Sequence, residues 1–185
     1  MKINLGSGRK KKKGYVNVDN WKESKADIIS DCLLYLKQQK ESTVDEVYSR
    51  HFFEHVTGEV FGDYLLEISK CLKNKGVLNF IVPHWSNPAY FSDPTHKSFF
   101  GLYTMHYYCC EYPRYPRKIP LYAVTDNLIL DTIYIRFIDK SFFGRIFSKL
   151  MNNLVNTSPY TQHLFENNFC RLIPCYEIEY RVHKK

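Results

Sequence analysis

Short apolar runs alternating with helix-period segments predict an α/β fold built on a mostly parallel sheet. Three observations carry the prediction. Ile3-Asn4-Leu5 enters Gly6-Ser7-Gly8, and a second run, Tyr15-Val16-Asn17-Val18, ends on Asp19, the order of a strand, a glycine turn and an acidic strand end. Residues 77–82 form a nearly continuous apolar run halted by Pro83, as a strand covered on both faces does. Between them Phe61, Leu65, Leu66, Ile68 and Leu72 recur at helical spacing.

The elements follow in order. Arg9-Lys10-Lys11-Lys12-Lys13-Gly14 is too short and too self-repelling for a helix, so the first crossover reduces to a loop that turns at Gly14. Asp19 comes eleven positions after Gly8, short of the roughly 20 residues of a dinucleotide fold, which argues against a standard NAD site. Residues 26–31 read as a third strand ending in Asp31, 33–39 as a helical turn or two, and 44–49 as a short buried strand. The helix through Phe61 is expected to run toward Gly76, with Lys70, Lys73 and Lys75 loading its end. Residues 84–121 lose all periodicity and read as a substrate lid. Regular pattern returns as a strand over 128–138, helices over 143–155 and 162–167, and an alternating strand over 176–182. With no repeat and no linker, residues 1–185 are expected to form one domain.

Composition narrows the class. The chain is 44% apolar and 16% aromatic, with no run near the ~20 apolar residues of a membrane span. A strand at the start leaves no leader, so a cytoplasmic location is expected. The six cysteines form no C-x-x-C pair and read as reduced thiols. A net charge of +7 favours an anionic partner, and the five cations of residues 9–13 would either steer an acidic ligand or form a solvated loop.

Five motifs stand in order: Asn4-Leu5-Gly6-Ser7-Gly8, Gly14-Tyr15-Val16-Asn17-Val18-Asp19, Ala26-Asp27-Ile28-Ile29-Ser30-Asp31, Asp45 through His55, and Leu72-Lys73-Asn74-Lys75-Gly76-Val77-Leu78. Asp93-Pro94-Thr95-His96 extends them. Together they resemble the class I S-adenosylmethionine-dependent methyltransferases, in particular a compact type 11-like group. The resemblance implies a Rossmann-like, seven-stranded, mostly parallel sheet with helices on both faces. It also implies S-adenosyl-L-methionine as cofactor. Leu5, Gly6, Ser7, Gly8, Asp19, Asn20, Asp31 and Arg50 would form its site, with Asp19 on the ribose diol and Asp31 near the adenine amine. From the residues alone, Asp19 could equally cap a turn and Asp31 the helix that follows it. By analogy with similar compact enzymes the acceptor is a small molecule or a glycan hydroxyl.

A hydroxyl acceptor loses its proton on methylation, and His51 or His96 is the candidate base, with His55 and Asp93 behind them. His51 and His55 could instead simply pack at a helix start. His51-Phe52-Phe53-Glu54-His55 also matches H-x-x-E-H, the pattern of a zinc hydrolase with His51 and His55 on one helix face. Such a site needs a third ligand and leaves the glycine turn unexplained; no metal ligand is assigned. The other alternative is a non-catalytic nucleic-acid or polyanion binder using residues 9–13 with the tyrosines and arginines of 107–117.

Overall fold

A computed structural model describes residues 1–111, 115–120, 126–139 and 141–185. Seven strands, β1 (Lys2–Leu5), β2 (Val16–Asp19), β3 (Ile28–Ile29), β4 (Val44–Arg50), β5 (Leu72–Pro83), β6 (Leu128–Arg136) and β7 (Glu177–Lys184), form one sheet in the order β3-β2-β1-β4-β5-β7-β6. The first five strands run parallel, and β7 pairs antiparallel with both β5 and β6. The helices are α1 (Cys32–Lys37), α2 (Gly58–Cys71), α3 (Phe142–Val155) and α4 (Pro159–Asn168). This is the Rossmann-like, mostly parallel α/β sheet that the strand pattern and the motifs predict, and the 9–14 loop does replace a first crossover helix; with that helix gone, the described helices gather on one face and one edge of the sheet rather than on both faces.

Several boundaries move for physical reasons. The third strand shrinks to two residues at the sheet edge, where one neighbour supplies its only ladder. The central helix ends at Cys71 rather than near Gly76, because Leu72 turns extended to pair with Val44 in β4. Lys73 and Lys75 therefore belong to β5, and Lys75 takes a left-handed φ of 62°. Caps set the helix starts: Asp31 accepts from the Leu34 N–H at 2.8 Å, and Thr57 from the Val60 N–H at 3.4 Å. Ser158 and Thr161 form a reciprocal capping box on α4, where Pro159 occupies the first turn.

Strand register separates the two faces of the sheet. Ile3, Val47, Leu78 and Val182 are aligned neighbours, as are Leu5, Ser49, Phe80 and Tyr180. Phe80 stacks on Tyr180 with centroids 4.9 Å apart and meets Phe53, Phe61 and Phe100 edge-on. Helices α1 and α2 pack on this apolar face, and α4 closes it near β6, where the Gln162 amide donates to the Ile133 carbonyl at 2.7 Å. Residues 84–111 add buried Phe100, Leu102, Met105 and Cys109 to the same core. The rest of the expected lid includes 112–114 and 121, which lie outside the described residues.

The other face is polar. Asn17, Asn4, Tyr48, Asn79 and Arg181 stand side by side in register across five strands. The lysine loop folds onto one end of that row: the Lys12 N–H donates to Asn17 Oδ1 at 2.7 Å, and Lys12 Nζ lies 3.9 Å from the Tyr48 ring centre. The cations of residues 9–13 are thus a pinned loop as well as a charged one, with Lys11 Nζ 2.5 Å from Asp27. At the β6 end, α3 runs along the strand's free edge and leaves Phe142, Phe143 and Ile146 largely exposed. Among the described residues no helix is long and apolar enough to cross a membrane.

Candidate active site

A cleft of about 1090 Å³ opens at the carboxyl ends of β1, β4 and β6, where α/β sheets of this kind place ligands. Its wall is built from the tips of several strands. β1 contributes Asn4 and the turn Gly6, Ser7 and Gly8; β4 contributes Tyr48 and Arg50, followed by His51; the start of β7 contributes Glu177. Arg9 to Lys12 form a basic rim.

Gly6 and Gly8 both take left-handed backbone, with φ of 63° and 52°. At Gly6 an added Cβ would lie 2.4 Å from the Phe52 ring, so only glycine fits there without moving the ring. Ser7 is buried, and its hydroxyl has no hydrogen-bond partner although it borders the cleft. A buried polar oxygen without a partner at a cavity wall is what a polar ligand would satisfy.

Asp19 braces the turn from behind. Its Oδ2 accepts from the Gly8 N–H at 2.7 Å and its Oδ1 from the Trp21 N–H at 2.8 Å. Each oxygen retains a lone pair. The Gly8 amide, expected to face a ligand, is committed to Asp19. Asp31 caps α1. Leu5 is fully buried in the core, and Asn20 is exposed. Of the residues expected to contact a cofactor, Gly6, Ser7, Gly8 and Arg50 line the cleft, whereas Leu5, Asp19, Asn20 and Asp31 sit beside or behind its wall.

His51 lines the cleft in a left-handed conformation, φ 53°, unusual for a residue with a side chain. Its Nε2 meets Glu177 Oε1 at 2.7 Å and its Nδ1 meets Glu54 Oε1 at 3.3 Å. Arg50 Nη2 donates to the same Glu177 oxygen at 2.6 Å. The bond to Glu177, then that to Glu54, raises the imidazole's pKa to about 9 against the opposing effect of burial. The ring is therefore a cation at neutral pH, shared between two carboxylates that are each 1% exposed.

The zinc-hydrolase arrangement does not form. Residues Phe53–His55 make one turn of 3-10 helix, not the interior of a long α-helix, and the reversed backbone at His51 sends the two rings apart. His51 turns to Glu177, while His55 turns to Thr95 at 2.9 Å. His96 lies against His55 instead, with ring centres 4.9 Å apart. Glu54 carries both connections, touching His51 directly and sharing a tight cluster with His55 and His96. Of the binder's residues, 112–114 lie outside the described ones.

Glu177 was not legible as a site residue. It belongs to an ordinary alternating strand 126 residues beyond His51, and only the antiparallel return of β7 brings it to the cleft. Tyr48 could have been read from the sequence, since strand alternation puts it on the same side as Arg50.

No family model matches the chain, and no curated protein matches it in sequence. Solved structures do match in shape. A SAM-dependent methyltransferase from Archaeoglobus fulgidus superimposes with a TM-score of 0.60 at 17% identity, over 100% of this chain and 85% of that one. The fold is that of the class I S-adenosylmethionine-dependent methyltransferases. Phosphoethanolamine N-methyltransferase 2 from Haemonchus contortus, solved with S-adenosyl-L-methionine, superimposes with a TM-score of 0.55 at 11% identity, over 100% of this chain and 48% of its own. In this methyltransferase fold the cleft between the β1 turn and the β4 tip lies at the strand ends on which ligand binding in such sheets depends.

Proposed function

We propose that this chain is an S-adenosyl-L-methionine-dependent methyltransferase acting on a hydroxyl of a small-molecule or glycan acceptor. The observation that carries the reading is the β1 turn, with two left-handed glycines and the unpartnered Ser7 hydroxyl, facing a cleft of about 1090 Å³ in a methyltransferase fold. Bound there, the cofactor would supply an electrophilic methyl group for in-line transfer.

The protein's own residues would bind and orient. Ser7 Oγ would hydrogen-bond the cofactor's polar end, and Asp19, bonded to the Gly8 and Trp21 N–H groups behind the wall, would hold the glycine turn in shape for it. Arg50 and His51 would keep Glu177 ionised at the cleft wall. Of the candidate bases only His51 lines the cleft, and there Glu177 and Glu54 hold it as a cation, so it would orient the acceptor hydroxyl as a hydrogen-bond donor. The basic rim of residues 9–12 favours an anionic acceptor, such as a phosphorylated or acidic sugar.

Calorimetry with S-adenosylmethionine and S-adenosylhomocysteine tests the reading directly. Wild type is expected to bind both at micromolar levels, and Ser7→Ala and Asp19→Ala to bind more weakly by about tenfold or more, the ~1.4 kcal/mol of a lost hydrogen bond. A wild-type protein that binds neither ligand removes the proposal.

A further inference from the structure

We propose that Glu54, His55 and His96 bind a divalent transition-metal ion, zinc or a first-row neighbour. One ligand atom from each of the three lies within 4.8 Å of the others, close enough for a single ion to join them after small side-chain adjustments. Two imidazoles and one carboxylate form a donor set that suits such an ion and leaves coordination positions open.

The surrounding hydrogen bonds prepare these donors. Thr95 Oγ1 donates to Asp93 Oδ1 at 2.6 Å, so toward His55 it can only accept, and the 2.9 Å contact is a bond from His55 Nδ1–H. His96 Nδ1 lies 2.8 Å from the Tyr90 carbonyl, which has no proton to give, so this nitrogen also carries the hydrogen. With Nδ1 committed in both rings, Nε2 is the nitrogen left to face an ion, and that of His96 lies 3.7 Å from Asp93 Oδ2, a carboxylate that would face the same cation. Nδ1–H groups tied to oxygen acceptors are the outer contacts that orient metal-binding imidazoles.

Glu54 supplies the third point. Its side chain is 1% exposed; Oε1 contacts His51, but Oε2 has no hydrogen-bond partner. A buried carboxylate oxygen left bare is costly, and a cation beside it removes the cost. None of the three residues lines the cleft, so the metal site stands on its own beside the methyl-transfer reading above.

The test is zinc titration calorimetry on the chelator-stripped chain of residues 1–185, with S-adenosylhomocysteine binding measured on the same samples. Wild type and His163→Ala, a control outside the cluster, are expected to bind one zinc per chain. His55→Ala and His96→Ala are expected to lose at least about 100-fold in affinity, and Thr95→Val, which removes only the hydroxyl that orients His55, about 10–100-fold. Wild type that binds no zinc at micromolar protein, or histidine variants that bind it unchanged, overturns the site. Should a variant fail to fold, copper(II) electron paramagnetic resonance on wild type decides: splitting from two imidazole nitrogens supports the site, and its absence overturns it. Protein that binds S-adenosylhomocysteine but no zinc sinks the metal site alone; zinc binding without S-adenosylhomocysteine sinks the methyl-transfer reading alone.

Discussion

Gly6 shows how narrowly one position can be set. An alanine there would meet two penalties, the left-handed backbone at about 1–2 kcal/mol and the Phe52 ring 2.4 Å from its Cβ. Gly6→Ala is expected to lower unfolding free energy by about 2–4 kcal/mol in urea titrations. In the double-mutant cycle with Phe52→Ala the ring's share should disappear, so the two single losses should sum to more than the loss in the double mutant. Glu177 is the matching case for charge. Glu177→Gln leaves Arg50 and His51 without their shared anion. Breaking a buried pair costs about 3–5 kcal/mol, and the half-exposed Arg50 lowers the expectation to about 2 kcal/mol, measurable by the same titration.

At the scale of elements, the exposed edge of the sheet is the instructive place. β6 pairs with one strand, β7; on its other side Glu111 bridges Ile129 near the start, and α3 covers the far end with amides rather than with another strand. Asn156 Oδ1 accepts from the Ile135 N–H at 2.8 Å and its Nδ2 donates to the Ile135 carbonyl at 2.8 Å, so one side chain imitates a paired strand. Asn152 does the same for Phe137 at 2.9 and 3.1 Å. Asn156→Ala is expected to cost about 1–3 kcal/mol and to leave a bare edge that promotes association. Urea midpoints and light scattering would show both effects. Periodicity made most of these elements readable: the apolar runs of β1, β4, β5 and β6 and the spacing of Phe61, Leu65 and Ile68 in α2 all form near their expected places. The edge protection was not readable, because an asparagine on a helix carries no mark of the strand it will serve. The end of α2 was misplaced for a related reason: Leu72 suits a helix locally, and only its pairing with Val44 draws it into the sheet.

Taken whole, the molecule divides into an apolar face under helices and a polar face under a lysine loop, and the cleft opens where the strands of both faces end. Residues near one another in the chain, such as Gly6 to Asp19 and His51 to His55, could be grouped as candidates because their spacing is local. Glu177 joins them only through topology, and the alignment of His96 with His55 only through the fold of residues 84–111. The core also carries its own acid sensitivity. His106 is fully buried, and burial lowers its pKa to about 4, against 6.5 for a free imidazole. Above pH 6.5 the ring is neutral in folded and unfolded chains alike and has no effect. Between 6.5 and 4 the unfolded chain takes up a proton that the folded one refuses, so stability falls with pH, by about 3 kcal/mol at most. Urea midpoints measured from pH 7 to 4 should show that slope, and His106→Phe should flatten it.

The central position of β7 also dictates an order of assembly on the ribosome. Among the described residues β7 is the only strand in the sheet that pairs with β6, whose other ladder contact is the single Glu111–Ile129 bridge, so residues 128–136 take their place in the sheet only once residues 177–184 have left the exit tunnel. The glycine turn and its Asp19 brace lie close together in the chain and can form as soon as that stretch has emerged, whereas the anion that holds Arg50 and His51 arrives late. A nascent chain halted before residue 177 would therefore carry a preformed turn beside an open, unfinished wall.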